Sequence, residues 1–559
     1  MLRLKNGRVY DPAHGVDGQL RDLYIEHGRL VAAPLPNTTI DREIDLAGSV
    51  VMAGAIDLHT HIGGGKMNIA RALLPEDHRL NRTPARSLGE AGELHAGCGH
   101  AAPSTWSTGY RYAEMGYTAC FEPAMLPSNA RHTHLEMGDT PMVDKGAYAM
   151  LGSDDFFLRL LSSGADQRLI NDYVGWTLDA SQAMAIKVVN PGGISAFKFN
   201  TRSLDLEEAH PYYGVTPRQV IQALTRAVHD LGVAHPLHVH ASNLGIPGNA
   251  DTTLATMAAA EGLPIHLTHI QFHSYGTEGE RKFSSEAERI ADAINRMSNV
   301  SADVGQVLFG QTVTVSGDSM KQYGNHRHAS PDKWVVMDLE CDAGCGVVPF
   351  KYRDKNFVNA LQWAIGLELF LRVTDPWRIF LTTDHPNGAP FTSYPHLIRL
   401  LMDRNFRNSK LDEINAEAAA HSQLRGMERE YTLYEIAIMT RAAPARSLGL
   451  SDRGHLGEGA AADIVVYRDD ADREAMFATP QYVFKDGELI VRDGQVVKVV
   501  NGSVHAVKPE YDKGIEKPLQ DYFDRYMTVK MEHIKVSNDE ICACGASKLI
   551  PHQCQGRTA

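Results

Sequence analysis

Closely spaced histidines are the residues of this sequence best suited to metal chemistry. His59 and His61 follow an apolar run. Residues two apart on a strand point to the same side, so both imidazoles can hold one divalent metal ion. The alternative is a hydrogen-bonded pair of core histidines. Three glycines at 63–65 follow the pair and favour the metal site.

Two later apolar runs also end in histidines. His240 and His238 share one face of their predicted strand, and His240 lies nearer the strand end. His269 and His266 have opposite parity, so only one of them can face inward, and His269 is nearer the end of its strand. We therefore expect His240 and His269 to be the metal ligands of this pair of strands.

Asp384 directly follows the apolar run at 379–383. A carboxylate at the end of a buried strand is costly unless it has a partner, and a metal ion or its bound water would supply one. The alternative is a helix N-cap, which is a common role for an aspartate at this kind of position.

Two polar residues just beyond these strand ends are predicted to contact a substrate. His273 lies in the loop after His269, and Asn243 follows the strand that carries His240. Both would face the same opening as the predicted metal ligands.

Lys187 lies inside the apolar run at 185–189, ahead of the turn signal at 190–193. Burial lowers the pKa of a lysine toward the neutral amine. A neutral amine can add CO₂ to form a carbamate, a carboxylate that is able to bridge two metal ions. The alternatives are an ordinary salt-bridged lysine at this position and a carboxylated Lys198 in place of Lys187.

Strand and helix patterns alternate through residues 54–450. Repeating βα units predict a parallel sheet, and an α/β fold closed as a (β/α)₈ barrel is the favoured version. The polar clusters follow the strands, where the active sites of such barrels form. The segment is longer than an ordinary barrel, so we expect insertions, the first of them at 63–104.

Short alternating runs separated by turn signals occupy both ends of the chain. The shared pattern predicts one small β-sandwich domain built from residues 1–53 and 451–510. The predicted hairpin turns are Asn6-Gly7, His27-Gly28, Asp486-Gly487 and Asp493-Gly494.

Residues 511–559 form a predicted C-terminal extension with a cluster of possible zinc ligands. Cys542, Cys544, His552 and Cys554 offer three thiols and an imidazole. Their spacing is an uncommon one for a zinc site, and a flexible tail is the alternative.

Charge and composition exclude several classes of function. The 559 residues include 55 basic and 68 acidic side chains, a net charge of −13 that disfavours a nucleic-acid partner. The longest apolar stretch, 360–373, is too short to span a membrane and contains Glu368 and Arg372. The N-terminus lacks a secretory signal, and seven cysteines do not form a disulfide framework. We therefore predict a cytoplasmic protein with no membrane or nucleic-acid partner.

Together these features resemble the amidohydrolase superfamily. More closely, they resemble the family of A-type subunits found in formylmethanofuran dehydrogenases and in the formyltransferase/hydrolase complexes of methylotrophic bacteria. The similarity extends over nearly the whole chain to about residue 505. The motifs that carry it are KVVNPGG (187–193), PSTWSTGYRYAEMGYT (103–118), ARHTH (130–134), THIQFHSYG (268–276), GVVPF (346–350), LQWAIGLELFL (361–371) and TTDHPN (382–387).

The resemblance implies a binuclear zinc site bridged by carboxylated Lys187. It also implies that Asp384 is the general base and that Arg281 lies near the substrate carbonyl. His385 departs from the family pattern, in which a serine is expected. The implied ligands are His59, His61 and Asp384 for one zinc ion, and His240 and His269 for the other.

The implied reaction is hydrolysis of an N-formyl amine to formate and the free amine. The amine would be a carrier of the methanofuran or methylofuran type, and the partners would be B-, C- and D-type subunits of a one-carbon complex. Three alternatives stay open: the formylation direction within an intact dehydrogenase, a cyclic-amide hydrolase, and a non-catalytic scaffold that holds the carrier. A scaffold is disfavoured because every implied ligand position is filled.

Overall fold

Eight parallel strands, β1 to β8, pair with one another in chain order. The computed structural model describes residues 1–199, 203–316, 337–339, 345–543, 545 and 548–556. Thr60 and His385 form a parallel bridge between the first and last strands, which closes the ring. The predicted (β/α)₈ barrel is therefore confirmed. The strands are β1 (Ala55–Asp57), β2 (Tyr117–Met125), β3 (Asp144–Met150), β4 (Ala185–Val189), β5 (Leu237–His240), β6 (Ile265–Leu267), β7 (Val300–Asp303) and β8 (Ile379–Phe380).

Each barrel strand is followed by at least one helix before the next strand begins. Strands covered on both faces become continuous apolar runs, and all five residues of β4 are buried. The α-helices of the described residues are Gly65–Ala72, Pro75–Leu80, Thr105–Glu114, Ala130–Gly138, Asp155–Ser162, Gln167–Ser181, Pro217–Asp230, Ala250–Ala259, Ala287–Arg296, Phe357–Arg372, Tyr394–Met402, Arg404–Glu413, Ala416–His421, Leu433–Ala437, Ala443–Leu448, Arg473–Ala478, Glu516–Tyr526 and Asn538–Ala543.

Both ends of the chain build one mixed sheet of nine strands. Val50–Ala53, from the N-terminal part, pairs antiparallel with Ile464–Tyr467, from the C-terminal part. The prediction of one β-domain built from both ends is confirmed. Its strands are Leu2–Asp11, Val16–Glu26, Arg29–Val31, Arg42–Asp45, Val50–Ala53, Ile464–Tyr467, Tyr482–Lys485, Glu488–Arg492 and Gln495–Val496.

Alternation along Val50–Ala53 attaches this sheet to the barrel. Val51 belongs to a separate core on one face of the sheet. Val50 and Met52 point the other way and join the large core of the barrel. The β-domain is therefore buried on both faces along this strand.

One predicted turn is wrong. Asn6 and Gly7 lie within the single strand Leu2–Asp11, at a register shift against the neighbouring strand. Asn6 has a φ of 59°, the conformation that a two-residue hairpin turn also requires, so a bulge and a turn share the same sequence signal. The other three predicted turns join adjacent antiparallel strands.

Three segments add to the barrel, and the third is the short hairpin of Tyr275–Gly276 and Ser284–Ser285. The predicted insertion at 63–104 contains two helices and four short strands. Between β7 and Phe357–Arg372, Gly310–Ser316 pairs antiparallel with Cys345–Tyr352, which also pairs with Met337–Leu339. The remaining short strands are Arg82–Thr83, Arg86–Ser87, Glu93–Leu94, Gly97–Cys98, Tyr275–Gly276 and Ser284–Ser285.

The C-terminal part of the chain returns to the barrel. Val504–Lys508, placed by the sequence within the β-domain, pairs instead with β3 and with Leu549–Gln553. His552 Nε2 lies at hydrogen-bond distance, 2.8 Å, from His505 Nδ1. Cys542 is exposed, and Cys544 lies outside the described residues. Within the described part of the chain, no helix combines the length and apolarity needed to cross a bilayer.

Candidate metal centre

The first group of possible metal ligands lies where β1 and β8 meet. His59, His61 and Asp384 bring one ligand atom each to within 4.8 Å of one another. The Nε2 of His59 lies 2.9 Å from Asp384 Oδ1, and the Nε2 of His61 lies 3.4 Å from the same oxygen. The bridge between Thr60 and His385 sets this spacing, because it aligns the two strand ends.

The opposite nitrogens of these two histidines are held by the protein. His59 Nδ1 is 2.8 Å from His238 Nε2 and 2.5 Å from Thr268 Oγ1. His61 Nδ1 is 2.9 Å from Glu122 Oε1. In each ring Nε2 is thus directed at Asp384, as expected of ligands whose second nitrogen fixes the ring orientation.

The charges of this group support one another. Burial opposes ionisation of Asp384, but the surrounding imidazoles of His269, His59 and His61 outweigh it and hold the pKa of Asp384 well below its usual value. Burial likewise opposes charging of His61, yet the Glu122 carboxylate raises the pKa of His61 above its usual value. The site is therefore built to keep Asp384 ionised.

The second group consists of His240, His269 and His273, again with ligand atoms within 4.8 Å. All three side chains are buried. Among the described residues, the Nδ1 of His269 and both ring nitrogens of His273 have no hydrogen-bond partner. Burial, with His240 nearby, holds the pKa values of His269 and His273 well below the usual value, so both rings are neutral. Neutral, buried, unpaired imidazoles are the state in which histidine binds metal.

Lys187 lies on β4, and its side chain is buried. It is paired in register with Met150 on β3 and His238 on β5. Burial is the main cause that lowers the pKa values of His59 and His269, one member of each ligand group. The positive charge of Lys187 lowers both values further. The rival Lys198 lies in the 3₁₀ helix Ile194–Phe199, and its side chain is outside the described residues.

Asp303 is a site residue that the sequence analysis did not identify. It is the last residue of β7 and is fully buried. It accepts hydrogen bonds from the His269 N–H and from Thr382 Oγ1, and its other oxygen is 3.0 Å from His266 Nε2. The available signal was the same as for Asp384, an acidic residue at the end of an apolar strand.

His238, Asp303 and His59 form a third group of possible ligands. Because Asp303 contacts His266 and the backbone of His269, we interpret this group as the support for the first two. Glu122 has the same supporting role on β2, where it also accepts backbone N–H groups of Ile62 and Gly63.

Backbone conformation brings the two groups together. Asp384 and His269 have φ values of 50° and 38°, in the left-handed region that is costly for residues other than glycine. Gly305 also has a positive φ, and a Cβ there would lie 2.4 Å from His269 Cβ and 3.4 Å from Asp384 Cβ. Glycine at this position therefore allows both ligands to approach.

Two predicted site residues are engaged elsewhere. Arg281 is half exposed and forms a two-point ion pair with Glu417 at 2.7 and 2.6 Å, above the ring of Phe357. The structure therefore does not bring Arg281 to the ligand groups. The side chain of Asn243 donates to Asp205 and Thr252, and thus braces the loop after β5.

His385, which departs from the family pattern, is not a member of either ligand group. Its Nδ1 accepts the Phe391 N–H at 3.2 Å, and its carbonyl accepts the His61 N–H at 2.9 Å. Burial holds the pKa of His385 well below its usual value, so this ring is neutral. It orients the loop that carries Asp384 without replacing a ligand.

The donor set fits zinc. Imidazole nitrogens and carboxylate oxygens are common zinc ligands, and both groups are buried at the ends of barrel strands. The Nδ1 of His269, which no described residue pairs, fits such a ligand role, because buried polar atoms are rarely left unpaired in a folded protein.

Comparison with known proteins shows the family of the chain. Residues 42–497 match the amidohydrolase family. The chain is 46% identical to the A-type subunit of the formyltransferase/hydrolase complex Fhc of Methylorubrum extorquens, over 94% of this chain and 95% of the relative. It is 40% identical to protein FwdA of Methanocaldococcus jannaschii, over 96% of each chain.

The fold of a solved relative is also the same. The crystal structure of the formyltransferase/hydrolase complex FhcABCD from Methylorubrum extorquens with methylofuran matches with a TM-score of 0.90 and 44% identity. The match covers 99% of this chain and 100% of the other. The chain therefore belongs to the amidohydrolase family, in the branch represented by the A-type component of the formyltransferase/hydrolase complex.

Proposed function

We propose that this chain is a zinc-dependent formamide hydrolase that converts an N-formyl amine and water to formate and the free amine. The observation that carries the proposal is the pair of buried ligand groups at the barrel mouth, whose unpaired nitrogens belong to His269 and His273. Buried imidazoles without partners would be an unexplained cost in a protein that only held a carrier.

Two zinc ions would be held at the proposed metal site, and carboxylated Lys187 would be one of the groups that hold them. The position of Lys187 on the strand between those of Met150 and His238 supports this role. When bound, such ions act as Lewis acids toward a carbonyl oxygen and make a water nucleophile available at neutral pH. The proposed ligands are His59, His61 and Asp384 for one ion, and His240 and His269 for the other.

Asp384 is the proposed general base and acid. Its pKa is held well below the usual value by the imidazoles around it, so it is ionised at neutral pH and can accept a proton. The same carboxyl group can then deliver that proton to the leaving nitrogen, which must be protonated before the C–N bond breaks. Asn387 donates to Asp384 Oδ1 at 3.1 Å and orients this group.

His273 is the proposed hydrogen-bond donor to the formyl oxygen. A neutral imidazole has one N–H, and neither nitrogen of His273 has a protein partner. A donor placed beside a developing oxyanion lowers the barrier to attack on the carbonyl. This assignment takes the place of the oxyanion role predicted for Arg281, which is paired with Glu417 instead.

The proposed substrate is a formylated carrier of the methylofuran type, and the proposed partners are B-, C- and D-type subunits. Both follow from the FhcABCD complex with methylofuran, which matches this chain over its whole length. Formate release is the proposed direction because the relative that is 46% identical belongs to a formyltransferase/hydrolase complex.

The experiment is a formate assay with a formylated furfurylamine-type carrier and no electron acceptor. We expect formate release by the zinc-loaded complex, its loss after chelator treatment and its return with added zinc. A metal assay on the same samples separates this outcome from the scaffold hypothesis, which predicts a folded, metal-free protein. Absence of formate from a folded, zinc-loaded complex would contradict the proposed function.

A further inference from the structure

A cavity of about 290 Å³ lies between the barrel mouth and the C-terminal extension. Met150 of β3 and Val189 of β4 form one wall. Leu519 and Tyr522, from the helix Glu516–Tyr526, form the opposite wall. The extension thus closes a cavity that the barrel alone would leave open to solvent.

Two residues of the cavity wall lie on strands next to the proposed ligands, since Val189 is paired in register with His240 of β5. Val189 and Lys187 are two residues apart on β4 and point to the same side, with Val189 nearer the mouth. Met150, the register partner of Lys187 on β3, lines the cavity as well. Met150 and Val189 pack together with Ile194 in a small apolar cluster of their own. This apolar wall therefore belongs to the same strands as Lys187 and lies at their mouth end.

Aromatic rings make up much of the remaining lining. Phe156 contacts Tyr173 with ring centroids 4.9 Å apart, and it contacts Tyr522 at 5.1 Å. Trp176 stacks with Tyr173 at 6.4 Å. Rings of this kind bind flat apolar groups through offset or edge contacts. For comparison, a cavity of about 150 Å³ is large enough to hold benzene.

Two polar atoms of the lining lack partners. The Ser153 hydroxyl and the Trp176 indole N–H are both buried, at 7% and 3% exposure. Neither has a hydrogen-bond partner in the part of the chain that the structure describes. An unpaired buried donor is costly, and Trp176 can only donate. These two atoms are therefore suited to a ligand that brings an acceptor into the cavity.

The carboxylates of the lining do not compete for such a ligand. Asp154 accepts hydrogen bonds from the Phe157 N–H and the Tyr173 hydroxyl. Asp155 accepts from Arg159 and from Tyr522. With both carboxylates engaged by the protein, the cavity offers a cationic ligand no unpaired anion, whereas it offers two donors to a neutral one.

We propose that this cavity is the subsite for a neutral aromatic ring of the amine substrate, a ring that carries an oxygen acceptor for Ser153 and Trp176. The inference rests on the proposed function for the identity of the substrate, but binding of such a ring does not require catalysis. The subsite would select the carrier by its ring, while the ligand groups act on its formyl group.

The test uses two probes of nearly equal shape, 4-methoxybenzyl alcohol and 4-ethylbenzyl alcohol, which differ in the acceptor oxygen. Binding to the full-length chain is measured by calorimetry. We expect the methoxy probe to bind about fivefold more tightly, the range for one net hydrogen bond. The preference should fall in both Ser153→Ala and Trp176→Phe, because each variant removes one of the two donors.

Matched variants control for general effects of substitution. Ser163→Ala removes a hydroxyl that bonds a carbonyl in an exposed turn. Trp377→Phe removes an indole that does not line the cavity. Both should retain the fivefold preference. No saturable binding of either probe, or an equal preference in all five proteins, would overturn the subsite.

A second measurement connects the cavity to the substrate. In the intact complex, 4-methoxybenzyl alcohol should raise the KM for the formylated carrier and leave kcat unchanged. Binding without such competition would mean that the cavity takes the ring but is not the substrate subsite, which overturns the proposal. A complex that binds the probe yet releases no formate from any formamide would refute the proposed function and leave the binding result intact.

Discussion

The two ends of the barrel hold buried charges in opposite ways. At the mouth, Asp303 and Asp384 have only histidines as ion-pair partners within the described part of the chain. At the base, where β3 begins, Asp144 contacts Arg453 at 2.9 Å and Lys485 at 3.1 Å. The carboxylates of the base are thus neutralised by permanent cations, and those of the mouth are not.

The base network has a structural task. Arg453 and Lys485 also contact Asp463 at 3.2 and 3.3 Å, so the barrel, the β-domain and the segment before the C-terminal extension meet at this point. Burial opposes ionisation of Asp144, but Lys485, His505 and Arg453 hold its pKa well below the usual value. Because Asp144 and Asp463 are already paired with an arginine and a lysine, this network does not require a further cation.

The difference shows what distinguishes the proposed metal site from an ion-pair network. Both regions contain buried acids, and both have strongly shifted pKa values. The mouth contains three buried imidazole nitrogens that no described residue pairs, on His269 and His273. At the base, His505 Nε2 also lacks a hydrogen bond, but it lies 3.4 Å from the carboxylate of Asp144. A shifted pKa therefore marks either kind of site, and the missing partners are the more specific sign.

The largest expected effect that tests this comparison is on catalysis. Asp384→Asn should lower kcat for formate release by about 10²- to 10⁴-fold, the contribution of a positioned general acid and base. The unfolding temperature should change little, because no arginine or lysine loses its partner. Formate assays and thermal unfolding of the same preparation check both statements. A variant that unfolds as readily as a base variant would contradict the distinction between the two ends.

The matched change at the base should have the reverse effect. Asp144→Asn leaves Arg453 and Lys485 without one shared carboxylate, and breaking a buried pair in this way costs about 3–5 kcal/mol of unfolding free energy. Activity per folded molecule should stay near that of the unaltered protein. Denaturant unfolding followed by a formate assay on the folded fraction tests this. A large loss of kcat with normal stability would contradict the structural role.

Much of the fold could be predicted from local patterns. Alternating runs with Asp486-Gly487 and Asp493-Gly494 predicted the returning sheet, because turn chemistry acts over a few residues. The pairing of Val504–Lys508 with β3 could not be predicted in this way. The paired residues, Lys145 and Val504, are 359 positions apart in the chain, and no local rule specifies a contact over that separation.

The candidate site was predictable to the extent that it depends on the alternation of side chains between the two faces of a strand. The pairs containing His59 and His240 were identified because alternate residues share a face. The role of Arg281 follows from the resemblance alone, and its ion pair with Glu417 depends on a tertiary contact that the sequence does not reveal. His273 was placed in the loop correctly, but its burial beside His240 follows from the 3₁₀ turn Ile270–His273.

A smaller effect is expected where the mouth depends on a close backbone approach. Gly305→Ala would place a methyl group 2.4 Å from His269 Cβ, so the ligands must separate. Overpacking of this kind costs about 1–3 kcal/mol, and we also expect lower zinc content. Gly164→Ala is the control, because Gly164 has a similar φ of 68° but no atom within 4 Å of the added carbon. Equal losses of stability and of zinc in the two variants would mean that the positive φ, and not the close approach to His269, causes them.

The smallest effect is a difference in pH dependence between the two ends. At the mouth, protons compete with zinc for imidazoles. Because burial holds the pKa values of His59 and His269 below the ordinary value of about 6.5, zinc should be released only as the pH falls below that value. At the base, the folded-state pKa of Asp144 lies below its usual value. Its contribution to stability is therefore present above about pH 3.8 and is lost as the pH falls below that value.

The two transitions should occur at different pH values in one titration. The free energy of each should change by at most about 1.4 kcal/mol per pH unit for each proton bound. Zinc content, measured after rapid desalting, reports the first transition, and denaturant unfolding of the chelator-treated chain reports the second. Asp144→Asn should remove part of the second transition and leave the first in place. If zinc release and acid unfolding coincided in both proteins, the mouth and the base would be one cooperative unit. The contrast between a replaceable cation at one end and fixed cations at the other would then be wrong.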